Sequence, residues 1–162
     1  MEFKASLDKF TKIITAIVTI VFIADIIFML YLCRQDKMWL PILINSFLII
    51  VYLLVYVYRP LGYAITSGQI IINRFIGNVY IERKNINTVT IATNQQLKGT
   101  IRIFGVGGLF GYFGKFANFE LGSSTWYATR RRDLVLILTK DNKRIIISPD
   151  LKEEFVEQFS SS

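Results

Sequence analysis

The sequence predicts an α+β protein in which a two-helix transmembrane hairpin precedes an antiparallel β-sandwich or barrel that is capped by a C-terminal α-helix. Three observations indicate this fold class. Two long apolar segments lie near the start of the chain, short β-branched segments separated by turn residues follow, and the last residues return to helical periodicity. The 162 residues are 52% hydrophobic and have a mean hydropathy of +0.43, which is high for a soluble domain.

Two segments are long enough to cross a membrane. The first runs from Ile13 to Leu32 with one charge, Asp25, and the second runs from Leu40 to Tyr58 with none. Because ~20 helical residues span ~30 Å of hydrocarbon, we expect spans at about 13–33 and 39–58. The connection between them fits only a tight turn, so residues 13–58 form one hairpin. A buried pair of soluble helices is the alternative.

Basic residues predict the orientation of this hairpin. Three lysines lie in the flank of residues 1–12, and Arg59 and a basic domain follow the second span. The turn carries two basic residues that Asp36 partly offsets. The positive-inside rule therefore places both termini in the cytoplasm. Phe10, Tyr56 and Tyr58 would then lie at the cytoplasmic interface. Trp39 would lie at the outer interface, and Cys33 would be a packing residue close to it.

A charge inside the first span requires a partner. A hairpin that turns near Gln35 and Asp36 places Asp25 opposite Asn45. A hydrogen bond between the carboxyl and the amide would satisfy both side chains, within one hairpin or between two. The alternatives are a proton or ion path and a contact with another membrane protein.

Residues 59–162 have the pattern of one small β domain. Arg59-Pro60 ends the second helix, and seven β-branched segments follow, many of them bounded by Gly, Asn, Asp or Ser. These segments are QIIIN, NVYIE, NTVTIAT, TIRIF, NFELG, LVLILT and RIIIS. Such short strands predict an antiparallel sandwich or barrel. The stretch LTKDNKRIIIS predicts a hairpin with Asp141-Asn142 at its tip.

The end of the chain predicts one amphipathic helix at about 149–160. Ser148 is a good N-cap, Pro149 suits the first helical position, and Asp150 complements the helix dipole. Four apolar residues then share one face. They are Leu151, Phe155, Val156 and Phe159.

The glycine-rich segment FGVGGLFGYFGKF, residues 104–116, fits neither phosphate-binding signature. A dinucleotide fingerprint requires glycine where Phe110 stands, and a P-loop requires glycine at Leu109 and Ser or Thr at Phe116. The aromatic side chains of this segment have three possible destinations. They could fill the domain core, lie in the membrane interface, or bind another protein, including a second copy of this chain.

The composition excludes several kinds of catalytic site. The chain has no histidine and one cysteine, which rules out His-dependent triads, His-ligated metals and an internal disulfide. We therefore expect no metal and no cofactor. An enzyme would have to use Asp25, Glu120 or another group without histidine. The net charge of +7 favours an anionic partner, which is either lipid or nucleic acid.

The C-terminal part of the chain resembles the bacterial PH-domain proteins that carry two N-terminal transmembrane helices. The matching pieces are FGVGGLFGYFG, NFELG, YATRR, LVLILT and ISPD. These proteins resemble pleckstrin domains in fold and are described as membrane proteins rather than enzymes. The resemblance implies a PH-like domain over 59–162 in the bacterial inner membrane.

Two groups of residues are candidates for contact with lipid or a partner. The arginines of YATRRRD lie in a predicted turn, where they are either solvated and partly paired with Asp133 or in contact with anionic headgroups. A lysine and three rings of the glycine-rich segment would join them. The candidates are Arg130, Arg131, Arg132, Lys115, Phe110, Tyr112 and Phe113.

We therefore expect a non-enzymatic, membrane-anchored module that binds or orients against anionic headgroups or a membrane-protein partner. The alternative is a self-assembling scaffold, a homo-oligomer that uses the segment 104–116. Nucleic acid is not an expected partner, because the basic residues are spread among strands of a membrane-tethered domain.

Overall fold

The computed structural model describes residues 1–32 and 39–161, without the side chains of Leu32, Trp39 and Ser161. The predicted hairpin turn at Gln35 and Asp36, and Cys33, lie outside the described residues. Helices α1 (Lys9–Leu32) and α2 (Trp39–Val57) are both long and apolar enough to span a membrane.

The two helices pair as an antiparallel hairpin would. The hydroxyls of Thr19 and Tyr52 are 2.7 Å apart, and the rings of Phe22 and Tyr52 are in contact with centroids 4.9 Å apart. The carboxylate of Asp8 begins α1 by accepting a hydrogen bond from the backbone N–H of Thr11 at 2.7 Å, which is the role of an N-cap.

Asp25 and Asn45 do not form a hydrogen bond within this chain. Asn45 Nδ2 donates instead to the carbonyl oxygen of Pro41 in its own helix, at 3.2 Å. An amide satisfied by its own helix has less need of a partner across the hairpin. A contact of Asp25 with Asn45 between two hairpins stays a prediction.

The first sheet has four antiparallel strands in the order β1 (Glu2–Lys4), β2 (Gly62–Ile65), β3 (Gln69–Asn73) and β4 (Val79–Glu82). Strand β1 lies in the predicted N-terminal flank and pairs Phe3 with Tyr63. Phe3 is buried in the domain core, and its ring packs edge-on against Phe155. The hairpin is therefore inserted between two adjacent strands of this sheet.

The second sheet contains β5 (Ile86–Ile91), β6 (Ile101–Gly107), β7 (Tyr112–Asn118), β8 (Gly122–Ala128), β9 (Val135–Thr139) and β10 (Arg144–Ile147). Their order is β5-β9-β10-β8-β7-β6. The predicted β9–β10 hairpin is confirmed. The sheet is mixed rather than purely antiparallel, because the chain passes from β8 over to β9 and β10 then fills the space between them, parallel to β8.

One of the predicted strand segments is not a strand, and the glycine-rich segment is not a loop. NFELG is the turn between β7 and β8, closed by a 2.6 Å hydrogen bond from Leu121 N to Asn118 Oδ1, with Phe119 fully exposed at its tip. The glycine-rich segment 104–116, for which the sequence predicts a loop, instead forms most of β6 and β7 and the turn between them.

The C-terminal helix α4 (Lys152–Ser161) begins later than predicted. Ser148 does not cap it, because its backbone N–H and hydroxyl are engaged in the core with Tyr63 and Thr129. Phe155 is fully buried, whereas Leu151 is exposed and lies outside the apolar face.

Apolar side chains pack on both faces of the second sheet. On one face, Val135, Ile137 and Ile147 pack with the first sheet and with Phe155 of α4. On the other face, Trp126, Phe116 and Leu134 pack beneath the connection 92–100, which contains the short helix α3 (Asn94–Leu97). The PH-like sandwich with a C-terminal helix is thus the architecture of the domain.

A buried hydroxyl network joins β2 to the end of β10. Tyr63 OH donates to the carbonyl oxygen of Tyr127 at 2.6 Å and accepts from Ser148 N at 3.0 Å. Burial raises the pKa of Tyr63 to about 12. The neutral phenol is therefore the form that stabilises the fold. The contribution of Tyr63 to folding stability is complete below about pH 10, the pKa of the phenol in the unfolded chain. It is lost as the pH rises through about 12, the pKa in the folded chain.

We expect Tyr63→Phe to destabilise the domain by about 1–3 kcal/mol, because it leaves the Ser148 N–H and the Tyr127 carbonyl buried without this partner. The measurement is the thermal midpoint of the full chain in detergent, followed by circular dichroism. The control is Tyr80→Phe, since Tyr80 is 58% exposed. Equal midpoints for the two variants would contradict the network's role.

Candidate functional site at the base of the hairpin

The turn between β6 and β7 docks onto the hairpin. The backbone N–H of Phe110 donates to Thr15 Oγ1 of α1 at 2.9 Å. Its buried ring meets Tyr52 and Tyr56 of α2 edge-on, with centroids 5.3 and 5.2 Å apart. Phe110 adopts a φ of 58°, a conformation that is uncommon for a residue with a side chain. The ring of Phe110 thus packs on the chain's own hairpin, a contact that the three predicted destinations did not include. Its location in the membrane interface stays a prediction.

Arg59 lies where three rings converge. Its guanidinium carbon is 4.4 Å from the ring centroid of Tyr56, 5.5 Å from that of Phe110 and 5.7 Å from that of Phe75. Phe75 also stacks on Tyr56 at 5.3 Å. We call Tyr56, Arg59, Phe75 and Phe110 the aromatic joint. Cation–π contacts of this kind gain strength when they are shielded from water.

Glycine has a steric role behind the docked turn. Gly105 and Gly114 lie opposite each other on β6 and β7, with φ values of 108° and 126°. A Cβ at either position would come well inside 3.0 Å of a carbonyl oxygen on the partner strand. The glycines therefore allow a close strand pair that presents Phe110 at its tip.

The three candidate arginines have different environments. Arg130 is largely buried, with an ion pair to Asp150 at 2.5 Å and a hydrogen bond to the carbonyl of Pro149. Burial opposes ionisation of Asp150. Hydrogen bonds from Ser6 and the charge of Arg130 outweigh it and lower the pKa of that carboxyl. Arg130 therefore stabilises the fold, whereas Arg131 and Arg132 are exposed.

Arg131 and Arg132 line a cleft of about 450 Å³ with the first residues of α1. The guanidinium of Arg131 lies 5.2 Å from the ring centroid of Tyr112. Its backbone N–H donates weakly to Asp8 at 3.4 Å. We call this the basic cleft, and its lining residues are Asp8, Lys9, Phe10, Tyr112, Arg130, Arg131, Arg132 and Asp133.

Asp133, one of the two carboxylates that line the cleft, forms no ion pair with its exposed cations. Asp133 pairs with Lys152 at 2.6 Å, and this hydrogen bond lowers the pKa of Asp133. The predicted partial pairing of Asp133 with the arginines is thus replaced by a lysine of α4. Within the described part of the chain, Lys9, Arg131 and Arg132 form no ion pair.

The structure separates Lys115 and Phe113 from this cleft. Side chains alternate along β7, so these two residues lie on the opposite face of the sheet from Tyr112. Lys115 Nζ donates to Thr125 at 2.7 Å, and Phe113 is buried. The seven candidate contact residues therefore do not form one surface.

Sequence reasoning did not single out Lys9 and Arg59 as site residues. Both lie at the ends of the predicted spans that the sequence predicts to face the cytoplasm, where a basic residue ordinarily signals only orientation. Phe10, which follows Lys9, and Tyr56, about one helical turn before Arg59, were the signal that could have drawn attention to both positions. In residues 1–32 and 39–161, no group of three or more His, Cys, Asp or Glu side chains could hold a metal.

Comparison with known proteins identifies the domain. A family model described as "Bacterial PH domain" matches residues 61–162. No curated protein and no solved structure matches the chain. The match covers more than half of the sequence and contains strands β2 to β10 of the sandwich, the docked β6–β7 turn and helix α4. The chain belongs to the bacterial PH domain family.

Proposed function

We propose that this protein is a non-catalytic, membrane-anchored PH-like module whose basic cleft binds anionic lipid headgroups. The position of the cleft carries this proposal. Lys9 and Phe10 begin α1, the first candidate span, and Arg131 and Arg132 of the domain line the same cleft. If the hairpin spans the bilayer, the cleft opens where the headgroups lie. PH domains are generally non-catalytic interaction modules.

The electrostatic attraction between the basic cleft and an anionic membrane surface is sufficient to orient the domain. Each basic residue near an anionic surface contributes about 1 kcal/mol, so Lys9, Arg131 and Arg132 together supply about 3 kcal/mol. A domain already attached to its membrane needs no affinity to reach it. The cleft would therefore select which lipids surround the hairpin and hold the domain in one orientation.

We expect the full chain in detergent to bind short-chain phosphatidylglycerol more tightly than phosphatidylcholine, with a preference that high salt weakens. Combining Arg131→Gln with Arg132→Gln should weaken phosphatidylglycerol binding at least tenfold, because about 2 kcal/mol of attraction is removed. Calorimetric titration at low and high salt measures both effects.

The matched control combines Lys140→Gln with Lys143→Gln. It removes the same charge from the turn between β9 and β10, at the end of β9 opposite the cleft. Equal phosphatidylglycerol affinity in the two double variants would exclude the basic cleft as the binding site. The full chain is required, because a fragment that starts after the hairpin lacks β1 and the buried ring of Phe3.

Self-association is the second candidate function. Strand β6 is an edge strand that leaves Ile101, Ile103 and Phe104 exposed, by 66%, 61% and 76%. Edge strands with apolar side chains are templates for pairing with another chain. The surface that supports this candidate is β6, since Phe110 and Tyr112 of the segment 104–116 are buried. Association of this kind would depend on Phe104 and be insensitive to salt.

A further inference from the structure

We propose that the turn between β3 and β4, residues 74–78, inserts Phe75 and Ile76 into the interfacial layer of the bilayer. This inference rests on the proposed anchoring of α1 and α2 in the membrane, but it concerns a different element from the basic cleft. Phe75 and Ile76 are apolar residues in adjacent positions, and they are 53% and 61% exposed.

The contacts of the turn fix it beside the end of α2. The ring of Phe75 stacks on Tyr56, with centroids 5.3 Å apart and an interplanar angle of 24°. A Cβ added at Gly77 would lie 4.0 Å from the ring of Tyr58. The turn is closed by a 2.9 Å hydrogen bond from Arg74 N to Asn78 Oδ1. Phe75 therefore lies level with the last turn of the span Leu40–Val57.

Exposure alone does not select this turn. Phe119 is fully exposed as well, but it lies at the end of β7 opposite the docked Phe110 turn, about 20 Å away along the strand. Aromatic rings are favoured at the membrane–water interface, and Phe10 and Tyr58 are exposed at the same end of the hairpin. The occupant that fits apolar side chains at this level is the headgroup and upper acyl region of the lipid.

Fluorescence quenching in nanodiscs tests the insertion. In a Cys33→Ser background, single cysteines at Ile76 and Phe75 are labelled with a small environment-sensitive dye. The neutral lipid carries a quencher near the top of the acyl chain. A second sample carries the quencher near the end of the acyl chain for the Ile20 control, because Ile20 lies at the middle of the span Lys9–Tyr31. Ile76→Cys is the main variant, because Phe75 also contacts Tyr56. Ile20→Cys in α1 reports on the hydrocarbon, and Phe119→Cys reports on water.

We expect quenching at Ile76 and Phe75 to exceed that at Phe119 by about threefold or more, in neutral lipid and at high salt, because apolar side chains drive the insertion. Quenching at Ile76 no greater than at Phe119, with Ile20 quenched, would overturn this inference and leave the basic cleft unaffected. Conversely, quenching at Ile76 in a chain without phosphatidylglycerol preference would support the insertion while refuting the proposed function. An unquenched label at Ile20 would mean that α1 does not enter the bilayer, and it would overturn both the insertion of the turn and the proposed function.

Discussion

Replacing Gly114 with alanine is expected to destabilise the domain by about 3 kcal/mol or more. The new Cβ would collide with the carbonyl oxygen of Phe104 and with the Cα of Gly105, and neither backbone atom can rotate away. The φ of 126° adds strain of about 1–3 kcal/mol for a residue with a side chain, and overpacking adds about as much. The thermal midpoint in detergent should fall by about 10 °C or more.

Gly68→Ala is the matched control for this substitution. A Cβ at Gly68 has no atom within 4 Å, and its backbone is not in the positive-φ region. Its midpoint should stay within a few degrees of the wild type, since surface substitutions usually change stability by about 0.5 kcal/mol or less. Similar midpoints for the two variants would show that β6 and β7 can separate without cost, contrary to the close pairing described above.

Phe110→Ala is expected to release the domain from the hairpin while both remain folded. The substitution removes the ring that touches Tyr52, Tyr56 and Arg59. Truncation of a buried phenylalanine costs about 3–5 kcal/mol, and here the loss falls on the contact between domain and helices. Spin labels at Ile20→Cys and Lys140→Cys, in a Cys33→Ser chain, should give a narrow distance distribution that Phe110→Ala broadens.

Phe104→Ala serves as the control, because it removes the same side chain from the same strand pair at a position that is 76% exposed. It should leave the distance distribution narrow. A narrow distribution in Phe110→Ala would mean that β1 and the Arg59-Pro60 connection alone hold the domain in place. The aromatic joint would then be a minor contact.

Local patterns in the sequence predicted the parts of the fold that depend on neighbouring residues. The apolar runs that form α1 and α2 need only length and hydropathy, and the β9–β10 hairpin needs only its turn at Asp141-Asn142. The family motif added the PH-like arrangement of these pieces. The same rules assigned Ser148 to a helix cap. That assignment is wrong, because Ser148 forms its hydrogen bonds in the core with Tyr63, a residue that is distant in sequence.

The candidate site depended on pairings between distant parts of the chain. Strand β1 has three residues, too few for a periodicity, and its partner lies beyond the whole hairpin. The position of Arg131 beside Lys9 follows from that pairing and from the bond between Ser6 and Asp150. The sequence did identify Arg131, Arg132 and Phe110 as candidates, but not that Phe110 packs on the chain's own helices.

The insertion of the hairpin between β1 and β2 has a consequence for biosynthesis. The ribosome releases β1 before either helix, yet the strand that completes its hydrogen bonds emerges only after both helices have been made. If the helices cross the bilayer, β1 and β2 meet only when the second crossing has returned the chain to the first compartment. A chain with one failed crossing would leave the two strands on opposite sides of the membrane. In that case, closure of this sheet would couple correct membrane topology to a folded domain, and a chain with the wrong topology would expose an incomplete core.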